Sequence, residues 1–167
     1  DPNAYAQLGL TLLQHVRETG DSGLYVRAGQ AFDQSLSRDP DNLDALIGQG
    51  MLAAALHDFE DAIEWAEQAW AINPWRAETL GILGDAYVEL GRYEEAIVAT
   101  QQMVDLKPGL DSYSRVSYIR ELHGDIDGAI NAMWATVDAG VPGTEAVLWS
   151  QTQLGNLYLA KGDLTQA

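Results

Sequence analysis

Four of the five prolines in this 167-residue chain, Pro40, Pro74, Pro108 and Pro142, recur every 34 residues. A fixed period of that size marks a stack of repeated helical hairpins, each burying its apolar face against its neighbours. Proline lacks the amide proton that continues a helix and disfavours helix at the preceding residue, so each of the four closes a unit. The period divides the chain into units at about 2–40, 41–74, 75–108 and 109–142, with 143–167 a partial fifth, in one array.

Composition agrees with close-packed helices. The chain is 47% hydrophobic with only two Phe, so Ala and Leu must fill most of its interior. Twenty-five acidic residues against nine basic ones leave a formal charge of −16, which repels nucleic-acid phosphates and anionic lipid. That charge suits both a solvated outer face and a basic ligand. Without cysteine, disulfides, thiolate metal sites and cysteine nucleophiles are excluded. The longest apolar run, Met51 to Leu56, is too short to span a bilayer, and no signal segment is visible. A soluble chain is expected, cytoplasmic or exported. It begins Asp1-Pro2-Asn3 without an initiator Met, which leaves room for an upstream leader or further repeats.

Inside the period, small residues fall into register. Gly50 with Ala62, Gly84 with Ala96 and Gly155 with Ala167 are each twelve residues apart, enough to end one helix, turn and begin the return. In the third unit Leu80, Leu83, Tyr87 and Leu90 form one apolar stripe at helical spacing, Gly91-Arg92 supplies the turn, and Tyr93 opens a return helix running to about Leu106. The first unit spaces its small pair, Gly9 and Ala28, nineteen residues apart, which predicts a longer hairpin with Thr19–Gly23 as its turn. The fourth puts Ser117 in the glycine position before Ala129, turns at Gly124, and leaves through a longer linker, Ala139 to Thr144. The last helix is expected from about Leu148 to Lys161.

Leu80, Leu83-Gly84, Tyr87, Gly91, Tyr93, Ala96 and Pro108 resemble the signature of the tetratricopeptide repeat. The second unit is similar through Leu46, Gly50, Phe59, Ala62, Ala66, Ala69 and Pro74, with His57 replacing the usual turn glycine. The resemblance implies an all-α fold, a right-handed superhelical stack of antiparallel helix-turn-helix repeats, or α-solenoid.

No catalytic or metal constellation is found. His15, His57 and His123 are far apart along the repeats and have no spaced partner. Gly48-Gln49-Gly50 imitates a dinucleotide loop only faintly, inside a predicted helix, and Asp125-Ile126-Asp127-Gly128 reads as a helix start. Trp65, Trp70, Trp75 and Trp134 are assigned to core or inter-repeat packing, and Trp149 to the binding side. No enzyme activity and no cofactor are expected.

In the family that the chain resembles, first helices line a concave groove holding a partner's peptide or helix. Carried over residue by residue, the groove positions include Leu10, Leu13, Gln14, Asp44, Ile47, Met51, Glu78, Asp85, Val88, Glu89, Ser114, Tyr118, Glu121, Trp149 and Asn156. Family members that grip the acidic tails of chaperones place Lys, Arg and Asn there. Asp85, Glu89 and Glu121 occupy such places here, so a free carboxylate would be repelled. The expected function is a non-enzymatic scaffold binding a basic, partly apolar peptide or helix in an acidic and apolar groove, with no nucleic acid and no membrane insertion. The alternative is a structural scaffold that forms homo-oligomers through exposed terminal helices.

Overall fold

In a computed structural model, residues 1–167 fold into nine α-helices and no strand. They are α1 (Pro2–Thr19), α2 (Gly23–Leu36), α3 (Leu43–Ala55), α4 (Phe59–Ile72), α5 (Ala77–Glu89), α6 (Tyr93–Leu106), α7 (Leu110–Leu122), α8 (Ile126–Ala139) and α9 (Glu145–Lys161). Adjacent helices pack as hairpins, α1 with α2, α3 with α4 and α7 with α8, in an all-α helical-repeat fold. The last helix starts at Glu145, three residues before the apolar stripe that predicted it, with Thr144 at its N-cap position.

The turns repeat one hydrogen-bonding device. After α3, α5, α7 and α9, a residue just past the helix returns its amide to a carbonyl five residues back: Asp58 to Ala53 at 2.9 Å, Arg92 to Tyr87 at 2.8 Å, Asp125 to Arg120 at 2.9 Å and Asp163 to Tyr158 at 2.9 Å. This geometry satisfies the orphan carbonyls at a helix end and requires a left-handed residue just before the closing amide. Gly91, Gly124 and Gly162 supply it with φ of 73°, 77° and 85°, but the second hairpin uses His57 at φ 65°. An L-residue there costs about 1–2 kcal/mol of steric strain. The His57 ring lies edge-on to Phe59 at 5.5 Å, a contact that offsets part of that cost.

The helices group into two units, Asp1–Arg92 and Tyr93–Ala167. In the first, α1 packs on α2 and α3, α2 on α3, α3 on α4 and α5, and α4 on α5. Its largest core side chain is Phe32 of α2, fully buried among Leu13, Val16, Leu24, Ala28, Ala45 and Leu52. The Phe32 ring occupies the space that side chains at Gly9 of α1 and Gly48 of α3 would fill. Gly9 thus closes on Phe32, one helical turn beyond the Ala28 with which its spacing paired it. Polar ties fix the same three helices. Ser35 donates to the Pro2 carbonyl at 2.8 Å, Asn42 caps α3 through Ala45 and reaches Asn3 at 2.7 Å, and Gln49 reaches Asp33 at 2.8 Å.

In the second unit α6 packs on α7, α7 on α8 and α8 on α9. Ser117 donates its hydroxyl to the Ala129 carbonyl at 2.8 Å, so a serine in a small-residue position gains a hydrogen bond at the crossing. Ala129, Ile130 and Met133 of α8 close on Leu154 and Leu157 of α9, with Trp134 bonded to the Tyr158 hydroxyl at 3.1 Å and Lys161 paired with Asp127 at 2.7 Å. Asp125 caps α8 by accepting from the Gly128 amide at 2.9 Å, the first cause of its lowered pKa, and pairs with Arg120 at 2.6 Å. One assignment to packing is corrected: Trp75 is 77% exposed, because it lies in the loop beyond α4 rather than on a packed helix face.

The seat of Phe32 generates a test in which the sign is informative. Alanine ordinarily favours a helix interior over glycine by about 1 kcal/mol. Gly48→Ala should instead destabilise by about 1–3 kcal/mol through overpacking against the ring. Gly50→Ala, whose added Cβ would meet Ile82 at 3.3 Å and the Ala62 carbonyl at 3.5 Å, should change stability far less in the same urea titration.

Candidate functional site

The proposed contact positions lie on α1, α3, α5, α7 and α9, the first helices of the hairpins. Their exposure separates them. Leu13, Ile47 and Val88 are buried at 5%, 3% and 9%, so they shape the helix packing and present almost no surface. Leu10 and Met51 are half-buried and pack onto the Phe32 cluster, leaving part of each side chain open. Gln14, Glu78, Asp85 and Glu89 are exposed, Asp44 is intermediate, and Gln14 hydrogen-bonds Glu18 at 2.8 Å along its own helix.

Asp44 and Glu78 are brought together by a residue that the positional reading missed. Arg76, at the N-cap position of α5, sends Nη1 to Asp44 Oδ1 at 3.0 Å and Nε to Glu78 Oε2 at 3.1 Å. Gln7 of α1 also donates to Asp44 Oδ2 at 3.4 Å. Partial burial disfavours the charged guanidinium, but hydrogen bonds to Glu78 and Asp44 outweigh it and raise the Arg76 pKa. An internal cation therefore already neutralises part of the acidic surface at the N-terminal ends of α3 and α5. The only signal in the sequence was a lone Arg between two acids 34 residues apart.

In the second unit, Ser114 is half-buried and turned to its own helix, donating to the Asp111 carbonyl at 3.1 Å. Tyr118 is 47% exposed, Glu121 is exposed, Trp149 is 53% exposed and Asn156 lies 3.5 Å from Gln153. Tyr118 and Glu121 on α7 and Trp149 and Asn156 on α9 belong to helices that each pack on α8.

His15 sits 3.7 Å from Glu18, His57 occupies a turn, and His123 ends α7 with Nδ1 against the Ile119 carbonyl at 2.8 Å. No group of three or more His, Cys, Asp or Glu side chains is placed to hold a metal ion, and no helix is long and apolar enough to cross a membrane.

Helical hairpins with shared turn geometry, close-packed through small residues and with first helices side by side in the first unit, define a helical-repeat scaffold. Two sequence profiles described as tetratricopeptide repeat match residues 13–74 and 53–116. The chain belongs to the tetratricopeptide repeat family, whose repeats generally mediate protein–protein interaction and whose members are typically non-catalytic scaffolds. A CTR9 homolog of Arabidopsis thaliana is 26% identical over 145 residues, 83% of this chain, and the chain spans only 13% of that relative's length. A thermophilic TPR protein of Thermus thermophilus superposes with a TM-score of 0.84 at 20% identity, covering 99% of this chain and 86% of its own. PilF of Pseudomonas aeruginosa gives 0.76 at 18% identity, covering 99% and 71%. These two likenesses establish the fold alone.

The Arg76 bridge can be weighed directly. Arg76→Gln removes the cation from both carboxylates. Because all three side chains are a third or more exposed, the loss of stability should stay within about 1 kcal/mol after solvent screening. It should be larger in low than in high salt, as read from urea denaturation at two ionic strengths.

Proposed function

We propose that this chain is a non-enzymatic binding module that presents the exposed faces of its first helices to a basic, partly apolar peptide or helix of another protein. The observation that carries the reading is the row formed by α1, α3 and α5. There Leu10 and Met51 stay partly open, while Gln14, Asp85 and Glu89 are exposed. Apolar patches beside carboxylates favour a ligand that alternates apolar and cationic side chains and disfavour an acidic one. Methionine adds an adaptable contact because its unbranched side chain refits to different partners. The net charge of −16 would steer such a ligand toward the module and make association sensitive to salt. Further contacts are proposed from Tyr118 and Glu121 on α7 and Trp149 and Asn156 on α9. The array reading, with units near 2–40, 41–74, 75–108, 109–142 and 143–167, belongs to the same proposal.

Charge reversal tests it. Asp85→Lys, Glu89→Lys and Glu121→Lys, combined in one variant, should weaken a cationic amphipathic peptide at least tenfold and flatten the salt dependence of its binding. Circular dichroism should show an unchanged helical spectrum. Equal affinity for parent and variant would remove these carboxylates from the binding face.

One observation favours a second reading, self-assembly. Leu148, Trp149 and Leu159 of α9 are 54%, 53% and 54% exposed, a density of large apolar groups that suits contact with another copy. Light scattering over a range of concentrations should then show a defined oligomer that Leu148→Glu converts to monomer. A monomer at every concentration would leave only the first reading.

A further inference from the structure

Glu78, Asp85 and Glu89 of α5 stand at i, i+7 and i+11, so helical periodicity lines them along one face of the helix. The two ends of that stripe are about 16 Å apart at 1.5 Å per residue, and they differ electrostatically. At the start of α5 a carboxylate is favoured by two effects. The positive end of the helix dipole faces Glu78, and Arg76 bridges Glu78 at 3.1 Å to Asp44 at 3.0 Å. Glu89 is the last residue of the same helix, where the negative end of the dipole disfavours a carboxylate. The last turn of α5 holds no basic residue, and Glu89 makes no ion pair. The next cation in the sequence, Arg92, lies over the Tyr87 ring at 4.5 Å.

The other first helices end differently. α1, α7 and α9 each place a basic residue in the last turn, Arg17, Arg120 and Lys161, and α3 has no acid there. Among first helices, α5 alone ends on a carboxylate with no cation beside it. Asp138 near the end of α8 is placed similarly, but on a second helix, away from the first-helix face. Helix stability does not account for Glu89, whereas a cation brought by a ligand would.

We propose that Glu89 receives a lysine or arginine side chain of the ligand at the C-terminal end of α5, and that Arg76 sets this register by filling the acidic place at the other end. A ligand cation arriving at Asp44 and Glu78 would have to displace a guanidinium that already bonds both carboxylates. At Glu89 it meets a carboxylate and the negative end of the helix dipole together, with no internal competitor. The module therefore reads one cationic position, and a second cation about 16 Å away adds nothing while Arg76 is in place. The inference rests on the first-helix binding reading and names the contact within it.

Fluorescence anisotropy of the full chain with three labelled peptides of mixed leucine and serine tests it. One carries a single arginine, and the others add a second arginine five or eleven residues away, which spans about 16 Å in an extended or a helical chain respectively. The parent chain should bind all three alike. Glu89→Gln should weaken each about fivefold, the upper range for one exposed ion pair, while Glu89→Asp keeps most of the affinity. Asp138→Asn, an equal loss of charge at the end of α8, should change little. Arg76→Gln should strengthen one of the two-arginine peptides about threefold and leave the single-arginine peptide unchanged, a gain that damage to the fold could not give. Glu89→Gln should also raise the urea midpoint of the free chain, because it removes an anion from the negative end of the dipole. Equal effects of Glu89→Gln and Asp138→Asn, a lowered urea midpoint for Glu89→Gln, or an Arg76→Gln gain that is absent or shared by all three peptides would overturn the proposal and leave the first-helix reading standing. Failure of the parent chain to bind any of the three would overturn both.

Discussion

The first unit depends on one close approach, the ring of Phe32 seated where Gly9 and Gly48 lack side chains. Each glycine in a helix interior sacrifices about 1 kcal/mol of propensity relative to alanine. What it allows is burial of a full aromatic ring, which contributes roughly 1.5–3 kcal/mol by transfer and further dispersion from its neighbours. Three helices thereby share one anchor, and the hydrogen bonds Ser35 to Pro2, Asn42 to Asn3 and Gln49 to Asp33 keep the same three in register. Elsewhere alanines at 0% exposure, Ala62, Ala66 and Ala69 on α4, occupy the crossings, so helix contact relies on small volume.

Close packing of this kind covers large apolar groups such as Leu46, Ile47, Leu80 and Ile82, and leaves others partly open at the surface. Leu10 and Met51 are held against the core on one side and open on the other. Binding to a surface supported in this way needs little rearrangement, which keeps the entropic cost of association low. The Arg76 bridge sets where the acidic character falls. It ties Asp44 and Glu78 to an internal cation and leaves the later turn of α5, with Glu89 exposed, more negative by comparison.

The fold class was legible in the sequence because period, proline and turn glycine are local signals that tertiary contacts reinforce. The same signals placed Tyr93–Leu106 and the turn at Thr19–Gly23, where α1 ends at Thr19, α2 starts at Gly23 and Gly20 is left-handed at φ 72°. His57 shows the limit of residue identity, since the turn geometry is kept at φ 65° although the glycine is gone. Gly48 was invisible as a packing residue, because its role depends on Phe32, sixteen positions away on another helix. The surface was harder still. Repeat position does not reveal that Ile47, Leu13 and Val88 are covered, that Arg76 reaches two acids, or that the buried Thr79 and Thr100 hydroxyls lack the carbonyl bond that Thr136 makes. Each of these depends on side-chain geometry between helices.

The central claim is that exposed faces of the first helices select cationic, partly apolar segments. Selection from an unbiased displayed peptide library, followed by hydrogen exchange on the complex, measures both halves at once. The account predicts enriched peptides with net positive charge and interspersed apolar residues, and added protection in α1, α3 and α5. Enrichment of acidic peptides, or protection confined to α2 and α4, would contradict it.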